Sequence, residues 1–595
     1  MCGIFAYSGS KNNAGDIILE GLKSLEYRGY DSWGVAVKTS DGKIYLEKHI
    51  GKIGEARYRT VSGEAHLPAL QSSIGIGHTR WATHGGVTEK NAHPHTDCHK
   101  KVIVVHNGIV DNYEYIKNKL AKSGHKFFAE TDTEVIAHLI EEKMKNKKDL
   151  KQIVLESFKE LAGLNGIIVF FPETEQFFAI KTGSPLVFCT NNNEQLIASD
   201  AVALLPYTKK VYYLEDNELL QISRKTFYLL DENRKEKFPV FMKLTMNKGD
   251  AELGKYSHYM IKEIWEQPAV LQNIVNGQHN HIQKGAKIIR EAYGTFLVAC
   301  GSAYISTVAA TYLFSKIAKK HLNTSIASEF SYLEHFIKEK SLIIAPSQSG
   351  ESIDVISSIK NAKEHKAKIM GIINVLGSTL YRLADYCIPL NVGPEKGVAA
   401  TKSLTAKIVV YYLLAHELNG TYKKGVKELT QAIKETEELL KKHKKIKELS
   451  EQLKNHKNLF ILGRGVSYPA ALESALKIKE VSYIHAEGLA AGELKHGAIA
   501  LVEKGTPVIV YNPQDETYED TLSSAHEVTA RGAYVIGVSN KNNQVYNEFI
   551  KVENCEEATI IPNVVVAQLL GYYLALAKGL DPDKPRNLAK SVTVK

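Results

Sequence analysis

The sequence predicts an α+β domain rich in β-sheet, followed by two α/β domains that each contain a parallel sheet. Residues 1–240 show short segments of alternating apolar and polar residues bounded by turn residues, a pattern typical of an α+β domain. From about residue 285, buried apolar runs alternate with long helical patterns, as expected for βαβ units around a parallel sheet. This second pattern occurs twice, so two similar domains are expected.

The duplication is marked by FLVACGS at 296–302 and LFILGRG at 459–465, each an apolar strand that ends at a glycine turn before a helical pattern. Between them, residues 422–457 are rich in lysine and glutamate, with apolar residues at near-helical spacing. This spacing predicts solvated helices that join two lobes. The predicted boundaries are 1–240 for the first domain, 241–284 for the connection, 285–425 and 426–585 for the two copies, and 586–595 for a C-terminal tail.

Length and charge indicate a globular protein of several domains. The 595 residues include 75 lysines and arginines against 66 acids, a net charge of +9, which is too thin an excess to predict a nucleic-acid partner. The N-terminus does not resemble an export signal, and no run reaches the roughly 18 apolar residues of a membrane helix, so no membrane association is expected. A reducing, cytoplasmic location is predicted because the cysteines are far apart and form no C-x-x-C pair: Cys2, Cys98, Cys189, Cys300, Cys387 and Cys555.

Cys2 is the candidate nucleophile. Its small side chain permits removal of Met1, which would leave cysteine as the first residue. A terminal α-amine titrates near 7.7 to 8, so it can accept the thiol proton at neutral pH. Taken alone, a Met-Cys start favours an ordinary N-terminal residue over a nucleophile.

Further residues fit the recognition of glutamine. Its α-carboxylate suits the planar fork of Arg80, and its α-ammonium suits a carboxylate such as Asp132. A side-chain amide next to a glycine N–H, as at Asn107 and Gly108, can hold an oxyanion. In order and spacing, four segments resemble the glutaminase domains of class II amidotransferases, which have an N-terminal-nucleophile fold: Tyr27–Ser32, His78–Gly85, His106–Gly108 and Thr131–Glu134.

This resemblance implies that Asn107 and Gly108 form the oxyanion hole and that Arg80 and Asp132 bind glutamine. It also places Thr83, His84 and His93 in the glutamine site and makes Trp81 a gate on the ammonia path. Alone, Asn-Gly is more often a turn between strands. The histidine-rich stretch does not predict a metal site, because the spacings match no zinc pattern. Its histidines are His78, His84, His93, His95, His99 and His106.

The second half contains a candidate phosphate cradle. An apolar strand at 342–345 is followed by the hexad SQSGES at 347–352 and then by a helical pattern. A helix N-terminus offers unpaired N–H groups, and serine hydroxyls add further donors for a phosphate. The alternative is an ordinary serine-rich helix cap. Nucleotide binding lacks its signatures, since neither a Walker A motif nor a strand-end G-x-G-x-x-G occurs.

The hexad, Cys300–Ser302 and Gly397–Lys402 resemble the sugar isomerase (SIS) domain of the glucosamine-6-phosphate synthase family. The later segments 472–480, 482–487, 492–497 and the tail 585–594 resemble that family's isomerase segment and C-terminal signature. The resemblance implies a three-layer α/β/α architecture for both copies. It implies sugar-phosphate contacts at Ser302, Ser347, Gln348, Ser349, Ser352 and Val398.

Conversion of a 2-keto sugar and ammonia into a 2-amino aldose requires ring opening, imine formation and proton transfer between C1 and C2. The resemblance assigns Glu480 as the base and Lys477 as the group that stabilises the enolate-like intermediate. It assigns Lys590 as the Schiff-base amine and His496 as the ring-opening group, reaching in from a neighbouring subunit. The alternatives are a surface Lys477–Glu480 pair worth a few tenths of a kcal/mol and a solvated terminal lysine at 590.

Some positions depart from the family's pattern. Ser302–Ala303 stands where Thr-Ser is common, Ala400 where a serine is usual, and Ser352 where threonine is usual. Each missing donor would cost about 0.5 to 1.5 kcal/mol if nothing replaces it. Trp33 stands where a small residue normally follows Tyr-Asp-Ser and is expected to alter packing near the glutamine site.

The complete pattern predicts an enzyme that transfers ammonia from L-glutamine to fructose 6-phosphate, producing glucosamine 6-phosphate and glutamate. A homodimer is expected, the tail is expected to help build an ammonia channel, and no metal, flavin, nucleotide or pyridoxal phosphate is implied. Two alternatives stay open. One is an amidotransferase acting on a related keto-sugar phosphate, and the other is a sugar-phosphate-binding regulator without catalytic activity.

Overall fold

The computed structural model describes residues 2–54, 71–191, 193–224, 226–244, 246 and 248–593. Met1, whose removal is predicted, and Val594, the last residue of the predicted tail signature, lie outside the described residues. The chain forms two compact units. The first comprises Met1–Ala251, Gly377–Thr379 and Ala589–Lys595, and the second comprises Glu252–Leu376 and Leu380–Leu588.

The first unit is a four-layer sandwich of two antiparallel sheets between helices. Its first sheet has eight strands in the order β15-β11-β9-β10-β1-β4-β2-β3, and its second has seven in the order β14-β13-β12-β8-β7-β6-β5. The strands are β1 Gly3–Ser8, β2 Ser32–Thr39, β3 Ile44–Ile50, β4 Ser72–Arg80, β5 His95–Thr96, β6 Ile103–Gly108, β7 Asn165–Phe171, β8 Gln176–Thr182, β9 Val187–Asn191, β10 Glu194–Ala198, β11 Lys210–Tyr213, β12 Leu219–Ser223, β13 Thr226–Leu230, β14 Glu236–Lys237 and β15 Met242–Lys243. The helices are α1 Ala14–Leu25, α2 Tyr113–Lys122, α3 Glu134–Met144 and α4 Leu150–Glu160.

The side chains of the central strands point alternately to the two faces of each sheet, and this alternation produces the layers. On β1, Phe5 and Tyr7 pack in the core under α1, whereas Ile4 and Ala6 pack in the core between the two sheets. Successive side chains of a strand point to opposite faces, so one short strand supplies two apolar cores. The β1 and β6 strands thereby carry Cys2 and Asn107 at their ends on buried, rigid elements.

The second unit contains two parallel five-stranded sheets with the same topology. Their strand orders are β17-β16-β18-β19-β20 and β22-β21-β23-β24-β25, which agrees with the duplication predicted from the sequence. The strands are β16 Gly294–Ala299, β17 Asn323–Ile326, β18 Ser341–Ser347, β19 Lys368–Ile373, β20 Tyr386–Pro389, β21 Asn458–Gly463, β22 His485–Ala490, β23 Pro507–Tyr511, β24 Tyr534–Ser539 and β25 Glu548–Lys551. The remaining helices are α5 Tyr259–Gly277, α6 His279–Glu291, α7 Gly301–Leu313, α8 Ala327–Phe330, α9 Ile353–Glu364, α10 Thr379–Leu383, α11 Lys402–Leu418, α12 Tyr422–Lys441, α13 Lys444–Leu453, α14 Tyr468–Ser482, α15 Tyr518–Thr529 and α16 Ile560–Ala577.

One continuous apolar core lies between the two sheets. It takes Leu297 and Ile344 from the first sheet, Ile461 and Ile509 from the second, and nearly all faces of α11 and α16. The outer faces of the sheets are covered separately by α8 and α9 and by α15. Each sheet therefore has helices on both faces, and the inner layers of the two copies form a shared core.

Two expectations about the helices need correction or refinement. By length and composition, the segment Glu556–Ala577 could cross a membrane, so the expectation that no segment is long and apolar enough is wrong. In the structure, 89% of its most apolar window is buried inside the protein. A helix that is apolar on all sides is typical of such a core. Within the predicted connection 241–284, α5 packs Met260 and Leu271, and the start of α6 packs Ile282, into the core of the second unit.

Candidate active sites

The first site forms where β1 begins and β4 ends. The Cys2 Sγ accepts a hydrogen bond from the Trp81 backbone N at 3.3 Å and lies 3.6 Å from the Trp81 carbonyl oxygen. Burial raises the pKa of the Cys2 thiol, while the backbone hydrogen bond from Trp81 and the charge of Arg80 oppose this shift. A thiol with a raised pKa needs a base to become a nucleophile.

The segment Tyr27–Ser32 holds the backbone on both sides of Trp81 through Asp31. The Asp31 N donates to the Arg80 carbonyl oxygen at 2.9 Å, and the Asp31 carboxylate accepts from the Ala82 N at 2.7 Å. A Cβ at Gly29 would lie 2.7 Å from the Arg80 carbonyl carbon, so only glycine fits there. Asp31 lies in a matched motif but is not among the site residues predicted from the sequence.

Asn107 lies at the end of β6 with its amide directed at Cys2. Its Nδ2 donates to the Cys2 carbonyl oxygen at 2.9 Å, and its Oδ1 lies 3.1 Å from the His78 Nε2. The next residue, Gly108, has φ of 138°, and a Cβ there would lie 2.1 Å from the Leu164 carbonyl oxygen. The structure therefore brings Asn107 beside the candidate nucleophile and requires glycine at 108.

Arg80 is the last residue of β4, and His84 lies on the loop that follows. The buried Arg80 guanidinium donates to the carbonyl oxygens of His84, Gly85 and Gly86, at 3.1 Å for the last two. Arg80 thus determines the shape of this loop. The His84 ring packs edge-on against the Tyr113 ring at 5.4 Å, whereas Thr83 is exposed.

His93 and Asp132 are both buried. The His93 ring stacks on the His78 ring with centroids 4.1 Å apart, and its Nδ1 accepts from the His106 N at 3.4 Å. Burial lowers the pKa of His93 well below its usual range. One oxygen of Asp132 accepts from the Val110 N at 2.8 Å.

Trp33 packs away from the thiol. Its indole is buried in the core under α1, and its ring lies 4.5 Å from the His49 ring. In the sheet, Trp33 is paired with Thr79, whose hydroxyl accepts from the Gly3 N at 3.1 Å. Trp33 therefore supports the strand next to Cys2.

The predicted phosphate cradle connects β18 to α9. The Gly350 N donates to the Ser347 Oγ at 2.8 Å, and the Glu351 N donates to the Ser349 Oγ at 3.1 Å. Ser352 is the N-cap residue of α9, and Gln348 lies on the same turn. This turn follows the carboxyl end of a strand next to β16, where the strand order reverses, which is the usual ligand position in such sheets.

Ser302, in the first turn of α7, contacts a buried charge cluster on α14. The Ser302 hydroxyl donates to Glu473 at 3.0 Å. The Lys477 Nζ lies 3.3 Å from Glu473 and 2.5 Å from Glu480. The side chains of Glu473 and Lys477 are 0% and 1% exposed, against 22% for Glu480. The alternative of a surface Lys477–Glu480 pair is thereby excluded.

Glu473 is a further candidate site residue, which is not among the residues predicted from the sequence. Burial raises the pKa of its carboxyl to about 7, partly opposed by Lys477. The pKa of Lys477 is also raised, because the attraction of Glu473 and Glu480 outweighs burial. A protonated Lys477 is therefore held between two carboxyl groups. The sequence shows the spacing of Glu473, Lys477 and Glu480 along the helix, but it does not show how deeply each side chain is buried.

The remaining predicted residues are dispersed. The Val398 N donates to the Asp583 carbonyl oxygen at 3.2 Å, and the Asp583 carboxylate accepts from the Tyr259 and Met260 N atoms at 2.7 Å each. His496 is exposed at the end of the 3₁₀ segment Ala491–His496. Lys590 belongs to the first compact unit, whereas Lys477 and Glu480 belong to the second.

Comparisons with known proteins explain why these two sites occur in one chain. A family model described as "Glutamine amidotransferase domain" matches residues 78–206, and one described as "SIS domain" matches residues 288–417 and 452–578. The glutamine–fructose-6-phosphate aminotransferase (isomerizing) of Pyrococcus horikoshii is 41% identical over 608 residues, and that of Thermococcus kodakarensis is 40% identical over 610 residues. Both alignments cover 100% of each chain. The chain belongs to this family.

The chain is accordingly an enzyme with an N-terminal glutamine amidotransferase domain and two SIS domains, and the predicted fold class is confirmed. A solved structure supports the second half. It is the C-terminal domain of glucosamine-fructose-6-phosphate aminotransferase from Francisella tularensis, which is 33% identical with a TM-score of 0.52 and covers 56% of this chain and 99% of that chain.

Proposed function

We propose that this enzyme takes the amide nitrogen of L-glutamine at Cys2 and transfers it to fructose 6-phosphate, producing glucosamine 6-phosphate and glutamate. The observation that carries this proposal is the buried Glu473–Lys477–Glu480 cluster next to Ser302, in the same chain as a thiol with an amide donor beside it. A sugar-phosphate-binding regulator needs neither of these arrangements.

In the glutaminase half, the Cys2 sulfur attacks the amide carbon of glutamine. Its proton passes to the Cys2 α-amine, which Met1 removal would free, and then to the departing ammonia. The Asn107 Nδ2 and the Gly108 N stabilise the oxyanion. Water then hydrolyses the thioester to glutamate. Arg80, Asp132, Thr83, His84 and His93 bind glutamine, and Trp81 gates the ammonia path.

In the sugar half, the serine turn at 347–352, together with Ser302 and Val398, holds the sugar phosphate. His496 opens the ring, and Lys590 forms a Schiff base with C2 that ammonia replaces. Glu480 removes a proton from C1 of the imine and returns it to C2, so that C1 becomes the aldehyde. The protonated Lys477 stabilises the negative charge that develops between these steps.

We also assign a homodimer and a cytoplasmic location. The exposed position of His496 supports a role in the sugar site of a second subunit. All six cysteines are unpaired thiols, which fits a reducing compartment.

The change Cys2→Ala tests the nucleophile. The variant is expected to lose glutamine hydrolysis and glucosamine 6-phosphate formation by at least about a thousandfold, because no other group can form the thioester. Both products are measured by coupled assay and mass spectrometry. Cys189→Ala, which removes a buried thiol, serves as the control, and calorimetric binding of fructose 6-phosphate verifies that the sugar half is folded.

A panel of keto-hexose phosphates tests the substrate. Ala303 and Ala400 remove two hydroxyls that the family usually has, which favours a related keto-sugar phosphate as the second candidate. We expect fructose 6-phosphate to have the highest kcat/KM. If fructose 6-phosphate is not converted and another keto-hexose phosphate is converted efficiently, our substrate assignment is wrong, whereas the glutaminase proposal is unaffected.

A further inference from the structure

A cluster of four potential metal ligands lies in the glutaminase domain, outside both active sites. Cys98 lies on the loop between β5 and β6, His125 follows α2, and His138 and Glu141 lie three residues apart on one face of α3. One ligand atom from each of the four residues lies within 4.8 Å of the others. Three separate segments of the chain therefore bring sulfur, nitrogen and oxygen donors to one point.

The distances within the cluster are close to those of a tetrahedral ion site. The Cys98 Sγ lies 4.0 Å from the His125 Nδ1 and 3.6 Å from the His138 Nδ1. The Glu141 Oε2 lies 2.8 and 3.1 Å from the same two nitrogen atoms. Tetrahedral zinc with bonds of about 2.0 to 2.3 Å separates its ligand atoms by roughly 3.3 to 3.8 Å. Shifts of a few tenths of an ångström would accommodate an ion.

Each of the two histidines also has a carboxylate near its second ring nitrogen, Nε2. The His125 Nε2 lies 2.7 Å from the Glu142 Oε2, and the His138 Nε2 lies 3.7 Å from the Glu134 Oε1. Metal-binding histidines usually direct their second ring nitrogen to a carboxylate, which fixes the tautomer and raises the basicity of the ligand atom. Both Nδ1 atoms here point into the cluster, the His125 Nε2 is within hydrogen-bonding distance of Glu142, and the His138 Nε2 faces Glu134 at a longer distance.

We propose that Cys98, His125, His138 and Glu141 bind one zinc ion in a closed structural site. A thiolate and two imidazoles favour zinc over magnesium or calcium, which take oxygen ligands. Cys98 and Glu141 contribute two negative charges, which match the charge of the ion. The side chains of His125 and His138 are 3% and 0% exposed, whereas Cys98 is partly exposed and provides a route of entry.

The site would anchor the helix that leads from the glutamine pocket. The α3 helix begins two residues after Asp132, and Glu134 in its first turn accepts hydrogen bonds from the N atoms of Phe128 and Ala129. An ion that joins α3 to the loop at Cys98 would fix this helix and the position of Asp132. The ion would act by positioning, since none of its four ligands belongs to the catalytic set.

Metal analysis of the untagged, full-length enzyme tests the proposal. We expect about one zinc per chain after purification from zinc-supplemented medium, and less than about a fifth of that in Cys98→Ser and His138→Gln. The control is Cys387→Ser, a thiol of similar exposure in the second unit, which is expected to keep the zinc.

Cobalt substitution avoids dependence on the variants folding. Cobalt added to the metal-depleted wild-type enzyme is expected to give intense tetrahedral d–d bands and a thiolate charge-transfer band, and Cys98→Ser is expected to lack the latter. Zinc removal should lower the Tm of the glutaminase domain and raise the KM for glutamine more than it lowers kcat. A wild-type enzyme that takes up neither zinc nor cobalt, or Cys98→Ser and His138→Gln variants that retain full zinc, would overturn the proposal.

Discussion

At the scale of single residues, burial decides the charge of the histidines around Cys2. His78 contacts Asn107 and stacks on His93, and His106 is bonded on both ring nitrogens to Thr133 and Asn165. Burial lowers the pKa of His78 to about 3 and lowers those of His93 and His106 as well. These rings are therefore neutral at pH 7 and act as hydrogen-bonding supports for the oxyanion donor.

Acid should destabilise the glutaminase domain through these histidines. Their pKa values are lower in the folded than in the unfolded state, so the stabilisation is complete above about pH 6.5 and is lost as the pH falls toward 3. Each ring contributes a slope of about 1.4 kcal/mol per pH unit. We expect a smaller loss of Tm between pH 7 and 5 in His78→Gln than in the wild type, measured by calorimetry. If the Tm of both proteins depends equally on pH, this assignment is wrong. A comparison of the two Tm values at pH 8, where the histidines are neutral in the folded and unfolded states, gives the destabilisation caused by the loss of packing alone.

Sequence reasoning reached some of these residues and not others. Cys2, Asn107 and Gly108 were selected because they lie in ordered motifs that resemble a glutaminase domain, and the Asn107 amide lies beside Cys2 in the structure. Glu473 was not found because a Glu and a Lys four residues apart usually form a surface pair, and only the packing of α14 shows that this pair is buried. The zinc ligands follow no spacing pattern, since they come from three elements that meet only after folding.

At the scale of elements, the close approach of α14 and α16 positions the charged cluster. A Cβ placed on Gly571 of α16 would lie 3.1 Å from the Lys477 Cβ and 3.3 Å from its carbonyl oxygen. The absence of a side chain at 571 therefore lets α16 press against the helix that carries Lys477. Because α16 is buried on all sides, its periodicity gave no indication of which face meets α14.

Gly571→Val should displace Lys477 without touching the glutaminase domain. We expect the larger side chain to cost about 1 to 3 kcal/mol of stability and to reduce formation of glucosamine 6-phosphate at least about tenfold. Glutamine hydrolysis, assayed separately, should remain. Gly277→Ala is the matched control, because a Cβ there meets no atom within 4 Å. Wild-type sugar kinetics in Gly571→Val would show that the contact does not position Lys477.

At the scale of the whole molecule, the role proposed for His496 in the sugar site of a neighbouring subunit depends on a second chain. The parallel sheets and their duplication were predictable because buried strands read as continuous apolar runs. The packing of α5 into the second unit was not, because its sequence is amphipathic and lies between two domains. Neither periodicity nor motif order reveals which surfaces of a folded chain meet another copy.

Mixing two inactive variants tests the shared site. His496→Ala and Glu480→Gln should each be inactive in sugar conversion, whereas co-refolded or co-expressed mixtures should recover about a quarter of wild-type activity, since half the dimers contain one intact composite site. A mixture of Glu480→Gln and Lys477→Met should stay inactive. Activity is measured as glucosamine 6-phosphate formed, with the assembly state determined by light scattering. Failure of the first mixture to recover activity would place His496 outside the partner's site.

The apolar core shared by the two SIS sheets has a consequence for their stability. A single copy on its own would expose to water the apolar face that the other copy now covers. Joining both copies in one chain makes their association intramolecular, so burial of these faces does not depend on the protein concentration. A polar substitution on one inner face should therefore destabilise both SIS domains together.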